Sequence, residues 1–216
     1  MRIILLLLII PTICAGQKTK SPRVVILNPE EFIVDEVLTD SIPKYTLTDE
    51  QVQNCIANLS KDEDRDYVIK MNEFECEFMR TMDAATAFTS YLNTWMTFKL
   101  YGEFDDAIIY PIRMEKRTKE DYIKLAEQYD INWVLNLKKV EVINYADSLK
   151  GIATVELWNR NTNKITLSTE IEIDDRNYYG EMSCDERTIN CIMVNGSVYI
   201  THQIMKSMFS KKRYWR

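Results

Sequence analysis

The spacing of apolar residues changes from element to element along the chain, and those changes outline a fold. Val24-Val25-Ile26-Leu27 is an uninterrupted apolar run bounded by Pro22 and Pro29, which predicts one buried strand. Thr48, followed at the third position by Gln51, makes a capping box and predicts a helix to about Leu59. From Glu77 to Tyr101 the residues Phe78, Met82, Ala85, Phe88, Leu92, Trp95, Met96 and Leu100 recur every three or four positions, predicting one long helix that ends at Gly102. Ala107 to Ile112 predicts a short strand. Thr118 and Asp121 then form a second capping box, with Tyr122, Leu125, Ala126 and Tyr129 as the apolar stripe of a helix closed by Asp130.

After Asp130 the period falls to two. Trp133, Leu135 and Leu137 alternate, whereas Val140 and Val142 have the opposite parity, so either both faces are buried or a bulge near Lys138 and Lys139 shifts the register. A second strand runs from Ile152 to Trp158 and ends at the turn Asn159 to Asn163. The third places Ile165, Leu167, Ile171 and Ile173 on one side and Thr166, Ser168, Glu170 and Glu172 on the other. This pattern is an antiparallel meander with one solvated face, and the helix from Thr118 to Tyr129 is expected on its apolar side. A last amphipathic helix is predicted over about Asn195 to Phe209, after a polar stretch from Asp174 to Asn190. The expected fold is thus a single α/β domain over 48–216: a mixed, largely antiparallel sheet with a C-terminal three-strand meander, packed by amphipathic helices. An arm over 17–47 with one strand precedes it.

The first sixteen residues, MRIILLLLIIPTICAG, combine Arg2, an apolar run from Ile3 to Ile10 and small residues up to Gly16. That is the pattern of a secretory signal peptide over 1–16. Eight to ten apolar residues span about 12–15 Å as a helix, against a bilayer core of about 30 Å, so the run reads as a leader rather than a permanent anchor. The rest of the chain is expected outside the cytoplasm. Cys14 is a candidate for lipidation, but Ile13 stands where a lipoprotein signal has Gly, Ala or Ser, and cleavage after Gly16 is the preferred reading.

Export changes the meaning of the cysteines. Cys55, Cys76, Cys184 and Cys191 remain after cleavage, and an even number in an oxidising compartment suits disulfides. Three pairings are open. The short gap from Cys184 to Cys191 suits a local staple, in which case Cys55 and Cys76 link two helical segments; free buried thiols are the alternative. Zinc is disfavoured, because the sequence has no C-x-x-C and its one histidine is His202.

Charge narrows the partners. The chain carries a net −6, or −7 once Arg2 leaves with the leader, which argues against nucleic acid. The last residues, however, include Lys206, Lys211, Lys212, Arg213 and Arg216 with Tyr214 and Trp215 between them. Such a segment suits an anionic membrane; the plainer reading is a helix end whose cations complement the macrodipole.

Asp62, Asp64, Asp66, Ile69 and Glu73 fall at positions 1, 3, 5, 8 and 12 of an EF-hand calcium loop. Position six is Tyr67 rather than glycine and position nine is Lys70, so a solvated acidic turn is preferred and no cofactor is expected. A small secreted hydrolase is the other alternative. It would need His202 to meet Cys184 or Cys191, or an acid pair such as Glu75 with Glu77, Asp105 with Asp106, or Asp174 with Asp175 to flank a glycosidic bond.

The stretch from Lys119 to Ile173, a helix ending LAEQYDINWVLNL followed by two hairpin strands, resembles the periplasmic α/β fold of the TolB N-terminal domain, CsgG and LpoB. Ala126, Tyr129, Ile131 and Asn132 match its helix-to-strand element, and Asn161, Thr162, Asn163 and Lys164 match its hairpin turn. The resemblance implies a binding or assembly module of the cell envelope, in the periplasm or at the outer-membrane periphery of a bacterium, with no catalytic residues to carry over. The expected function is therefore non-catalytic contact with an envelope protein or a cell-wall component. Membrane contact is open through Lys211, Lys212, Arg213 and Trp215, or through a lipid on Cys14.

Overall fold

Both capping boxes form. Thr48 accepts from the Gln51 amide while the Gln51 side chain accepts from the Thr48 amide, and Thr118 and Asp121 do the same. These reciprocal bonds satisfy amides that a helix start otherwise leaves bare. The computed structural model describes residues 21–104, 106–177 and 184–209. In chain order these hold β1 (Arg23–Leu27), β2 (Glu31–Ile33), β3 (Tyr45–Thr46), α1 (Asp49–Leu59), α2 (Asp66–Phe78), β4 (Thr81–Met82) and α3 (Ala84–Tyr101). There follow β5 (Ile108–Ile112), α4 (Lys119–Gln128), β6 (Trp133–Asn144), β7 (Leu149–Asn159), β8 (Lys164–Asp174) and α5 (Ile189–Met208). Residues 1–16, Cys14, Asp105, Lys211, Lys212, Arg213 and Trp215 lie outside the described residues.

The sheet runs β5-β1-β6-β7-β8, with β2 added beside β6 beyond the end of β1. β1 is parallel to β5 and β6, and β2 is parallel to β6; the longer pairings, β6 with β7 and β7 with β8, are antiparallel. The sheet is thus mixed and largely antiparallel, as its residue pattern implies. One face packs on α3 and α5 through Val24, Ile26, Leu135, Leu137, Val140, Ala153, Ile171 and Ile173. At the β5–β1 end the other face packs on α2 and α4 through Val25, Leu27, Tyr110, Val134 and Trp158. β1 is buried on both faces, which is why its sequence is apolar without alternation.

Several expectations are corrected. The segment up to residue 47 carries three strands rather than one, and β1 lies inside the sheet instead of on an arm. The helix predicted from Glu77 is two helices. Phe78 ends α2, β4 pairs with β3, and the Asp83 carboxylate accepts from the Thr86 amide at 2.7 Å to start α3 anew. Phe78 and Met82 fit the helical spacing only by coincidence. α5 begins at Ile189, six residues earlier than predicted, because Thr188 caps it. The helix α4 is not on the face of Ile171 and Ile173; it packs on Val134 and Trp158 from the other side. The face of Ile171 and Ile173 is already taken by α5, which leaves the opposite face for α4. A separate register shift interrupts the β7–β8 pair, where Leu157 faces Leu167 but Trp158 faces Ile165. The extra residue reverses the parity of Ile165, which is 49% exposed.

Cys55 bonds to Cys76, tying α1 to α2 with Cα atoms 6.0 Å apart, and Cys184 bonds to Cys191 at 4.9 Å, closing a short loop onto the start of α5. Alkylation of oxidised, denatured protein is expected to leave all four thiols unlabelled. Chain-entropy arguments assign the local Cys184–Cys191 bond about 2–3 kcal/mol.

Candidate binding surface

Register assigns each meander residue to a face. Val140–Ala153–Ile171 and Val142–Gly151–Ile173 cross the three strands on the side of α3 and α5, and all but Gly151 are apolar core positions. The intervening rows, Lys139–Thr154–Glu170, Glu141–Ile152–Glu172 and Ile143–Lys150–Asp174, lie on the opposite side, where Glu170, Glu172 and Lys150 are exposed. On β8, Thr166, Ser168, Glu170 and Glu172 are all exposed. The predicted wet face of the third strand is therefore present, and it extends across β7 and β6. Lys139 and Glu141 pair across it at 2.7 Å, a contact that holds the lysine above its ordinary pKa through the hydrogen bond from its ammonium.

At the far end of this face a cleft of about 570 Å³ opens between the β6–β7 hairpin and the end of β8, lined by Ile143, Tyr145, Lys150, Ile152, Glu172 and Asp174. Its foot is fixed by Asp175, which is buried and accepts from the Leu149 amide at 2.6 Å. The Lys150 ammonium sits 5.7 Å from the centre of the Tyr145 ring. β8 closes the strand order, so its outer rim is the end of the sheet. Edge strands present main-chain donors and acceptors along such a rim, and charged side chains beside it discourage uncontrolled pairing.

The other end of the open face is anchored by a polar joint. β1 and β2 lie end to end along β6, and the bulge between Leu137 and Lys139 falls where they meet. Arg117 donates to Asn136 Oδ1 at 2.6 Å, to Asn28 Oδ1 at 3.2 Å and to the Met114 carbonyl at 3.0 Å. Asn136, wholly buried, donates in turn to Glu30 at 2.8 Å. Burial pushes the Arg117 guanidinium below its ordinary pKa, with Glu30 opposing. Burial also raises the Tyr122 hydroxyl next to it to about 12. The guanidinium fork satisfies two amide oxygens at once, which a lysine does not reproduce. Arg117→Ala should cost about 3 kcal/mol by leaving buried amides unpaired, and Arg117→Lys should recover only part of it, as read from urea midpoints.

The remaining candidate residues do not converge. Asp62 and Asp64 lie in the turn after α1, but Asp66 opens α2 and Glu73 lies seven residues further along that helix, about 10 Å up its axis. The would-be second half of a calcium loop is therefore helical. The neighbouring Glu63 is held below the usual carboxylate range by Arg65, which bonds it through Nε at 2.8 Å and Nη2 at 3.1 Å. Among the described residues, no three His, Cys, Asp or Glu side chains group as a metal site. Both Cys184 and Cys191 are held in their disulfide, and His202 is eleven residues along α5 from Cys191, about 16 Å by helical rise. Burial raises the Glu75 carboxyl, and Asp175 is engaged with the hairpin. The Arg117 joint escapes sequence reading because its members come from three separate segments. Its one signal is Asn136, a polar residue inside an otherwise apolar strand start.

No protein-family model and no curated protein matches the chain. Among solved structures it is similar to a homolog of neuraminyllactose-binding hemagglutinin from Helicobacter pylori, at 12% identity and a TM-score of 0.34 over 90% of this chain and 86% of that one. It is also similar to a hypothetical protein from Chlamydia trachomatis, at 8% identity and TM-score 0.27, covering 87% and 93%. A Xanthomonas campestris protein follows at 8% and 0.26, covering 88% and 85%. All three are bacterial, and none is TolB, CsgG or LpoB.

Proposed function

We propose that the chain is a non-catalytic, exported binding or assembly module of a bacterial envelope, and that it engages another envelope protein along the open face and outer rim of β8. The observation that carries this reading is β8 itself: an eleven-residue strand at the end of the sheet whose outward side chains are polar and exposed. An extended segment of a partner adds to such a rim by main-chain hydrogen bonds, with side chains supplying the choice of sequence. That is why a protein segment, rather than a wall polymer, is the fitting occupant. Glu170 and Glu172 favour a segment bearing Lys or Arg. The N-terminal leader and the two disulfides support an oxidising, extracytoplasmic home.

In gently solubilised envelope extract the chain should migrate as part of a larger assembly, and the Glu170→Lys/Glu172→Lys double variant should return it to monomer size. An assembly unchanged by the double variant would contradict the reading. Mass spectrometry of the exported protein should find a mature chain starting at or near Gln17; a diacylglyceryl mass on Cys14 would show anchoring instead.

A further inference from the structure

Charge is segregated by layer in this molecule. The eighteen residues of α3 and the twenty of α5 contain no Asp or Glu, in a chain with 33 acidic residues and a net −6. Their charged groups are Lys99 and Lys206, both exposed, with His202 exposed between them. The two helices run the same way across one face of the sheet, since Phe104 after α3 stacks on Phe209 after α5 at 5.1 Å. Lys99 and Lys206 therefore lie at the same end of the pair. His202 registers the field there: burial lowers its pKa first, then Lys99 and Lys206 lower it further.

On the same outer surface α3 carries aromatics that the core does not use. Phe98 is 65% exposed and Trp95 is half-buried, with ring centres 5.8 Å apart. The Lys99 ammonium lies 4.9 Å from the Trp95 ring and 5.7 Å from Phe98. Tyr91 continues the row one turn earlier, its hydroxyl donating to Asn190 at 2.6 Å. Helix-dipole complementation explains a lysine in the last turn of each helix, but not an exposed Phe beside a Trp. Exposed aromatics beside a lysine suit the headgroup region of a bilayer, where the rings enter the interface and the lysine head stays at its surface.

We infer that the outer surface of α3 and α5 around Trp95, Phe98, Lys99 and Lys206 docks on an anionic lipid membrane. The residues after Phe209 add Lys211, Lys212, Arg213 and Arg216 with no acid, so the covalent continuation of α5 carries the same sign. The open face of β6–β8 lies on the other side of the sheet, and its acids Glu170 and Glu172 come near α5 only at the β8 rim, where they border a hollow with Tyr199, His202 and Gln203. A chain docked this way turns that face away from the like-charged membrane. Among the described residues no helix is long and apolar enough to cross a membrane, so the contact is a surface one. This inference stands independently of the partner proposed for β8.

The test is vesicle co-sedimentation of the full mature chain. It should bind vesicles of mixed phosphatidylglycerol and phosphatidylcholine, bind pure phosphatidylcholine far less, and lose affinity as salt rises. Lys99→Gln and Lys206→Gln should each weaken binding about fivefold, and Phe98→Ser should weaken it without moving the thermal melt, because its side chain is largely in solvent. Brominated lipids should quench Trp95 fluorescence in a variant whose other tryptophans are phenylalanine, provided its melt is preserved. Absence of vesicle binding would overturn the inference. So would binding that persists in Phe98→Ser/Lys99→Gln and vanishes in Lys211→Gln/Lys212→Gln/Arg213→Gln, which would assign it to the terminal segment. Self-association through this face in place of vesicle binding would also overturn it.

Discussion

Ile173→Asp should leave the protein without a cooperative unfolding transition, whereas Thr166→Asp, seven residues earlier on the same strand, should melt within a few degrees of wild type. Ile173 is 1% exposed and faces α5 across Gly151 and Gly196. A Cβ on Gly196 would come 2.8 Å from Ile173 Cδ1, so helix and sheet are already in closest approach there and no water has room to reach a carboxylate. Burying an unpaired charge costs several kcal/mol beyond the lost isoleucine, enough to exhaust a domain stability of about 5–15 kcal/mol. Thr166 is exposed, and its substitution carries mainly a β-propensity penalty. Circular dichroism melts of the two variants decide this. Equal losses would mean that α3 and α5 do not cover the face assigned to them.

The second large effect is expected at Phe88. Its ring is wholly buried in α3, sits 6.1 Å from the Phe32 ring, and would be 2.9 Å from a Cβ on Gly196. It thus fills the space where α3, α5 and the β2 segment meet. Truncation to alanine leaves a cavity that backbone packing on three sides keeps open, so a cost of about 3–5 kcal/mol follows. For a domain of this size that is a fall in Tm of about 6–20 °C. A loss below about 1 kcal/mol would show that the elements collapse into the gap and are less firmly held than the packing implies.

Local signals carried most of the architecture. Thr48 with Gln51 and Thr118 with Asp121 placed two helix starts because a cap is made by residues three apart, and β1 was visible because burial on both faces leaves an unbroken apolar run. The parity change at Lys138 marked the β6 bulge. Signals failed where tertiary contact overrode period. Asp83 interrupts an apolar spacing that otherwise runs through Phe78 and Met82, so two helices read as one. The bulge opposite Leu157 gave no mark in β8, so Ile165 read as core, and the pattern does not tell which helix covers the apolar face of Ile171 and Ile173, which α5 takes in place of α4. β2 and β3 are too short for any period to show. For the binding surface, the polar positions of β8 were legible, while its extension over β6 and β7 required the register. On α3, Trp95 read as part of the apolar stripe, whereas Tyr91 and Phe98 fell outside its spacing and gave no sign that they form an exposed row with it.

Site-specific photo-crosslinking tests most directly whether β8 is the working surface. A photoreactive residue at Ser168, exposed at the middle of β8, should yield a defined protein adduct in cells exporting the chain, while the same residue at Asn161, exposed in the β7–β8 turn, should yield little or none. Adducts at Asn161 without adducts at Ser168 would contradict the account.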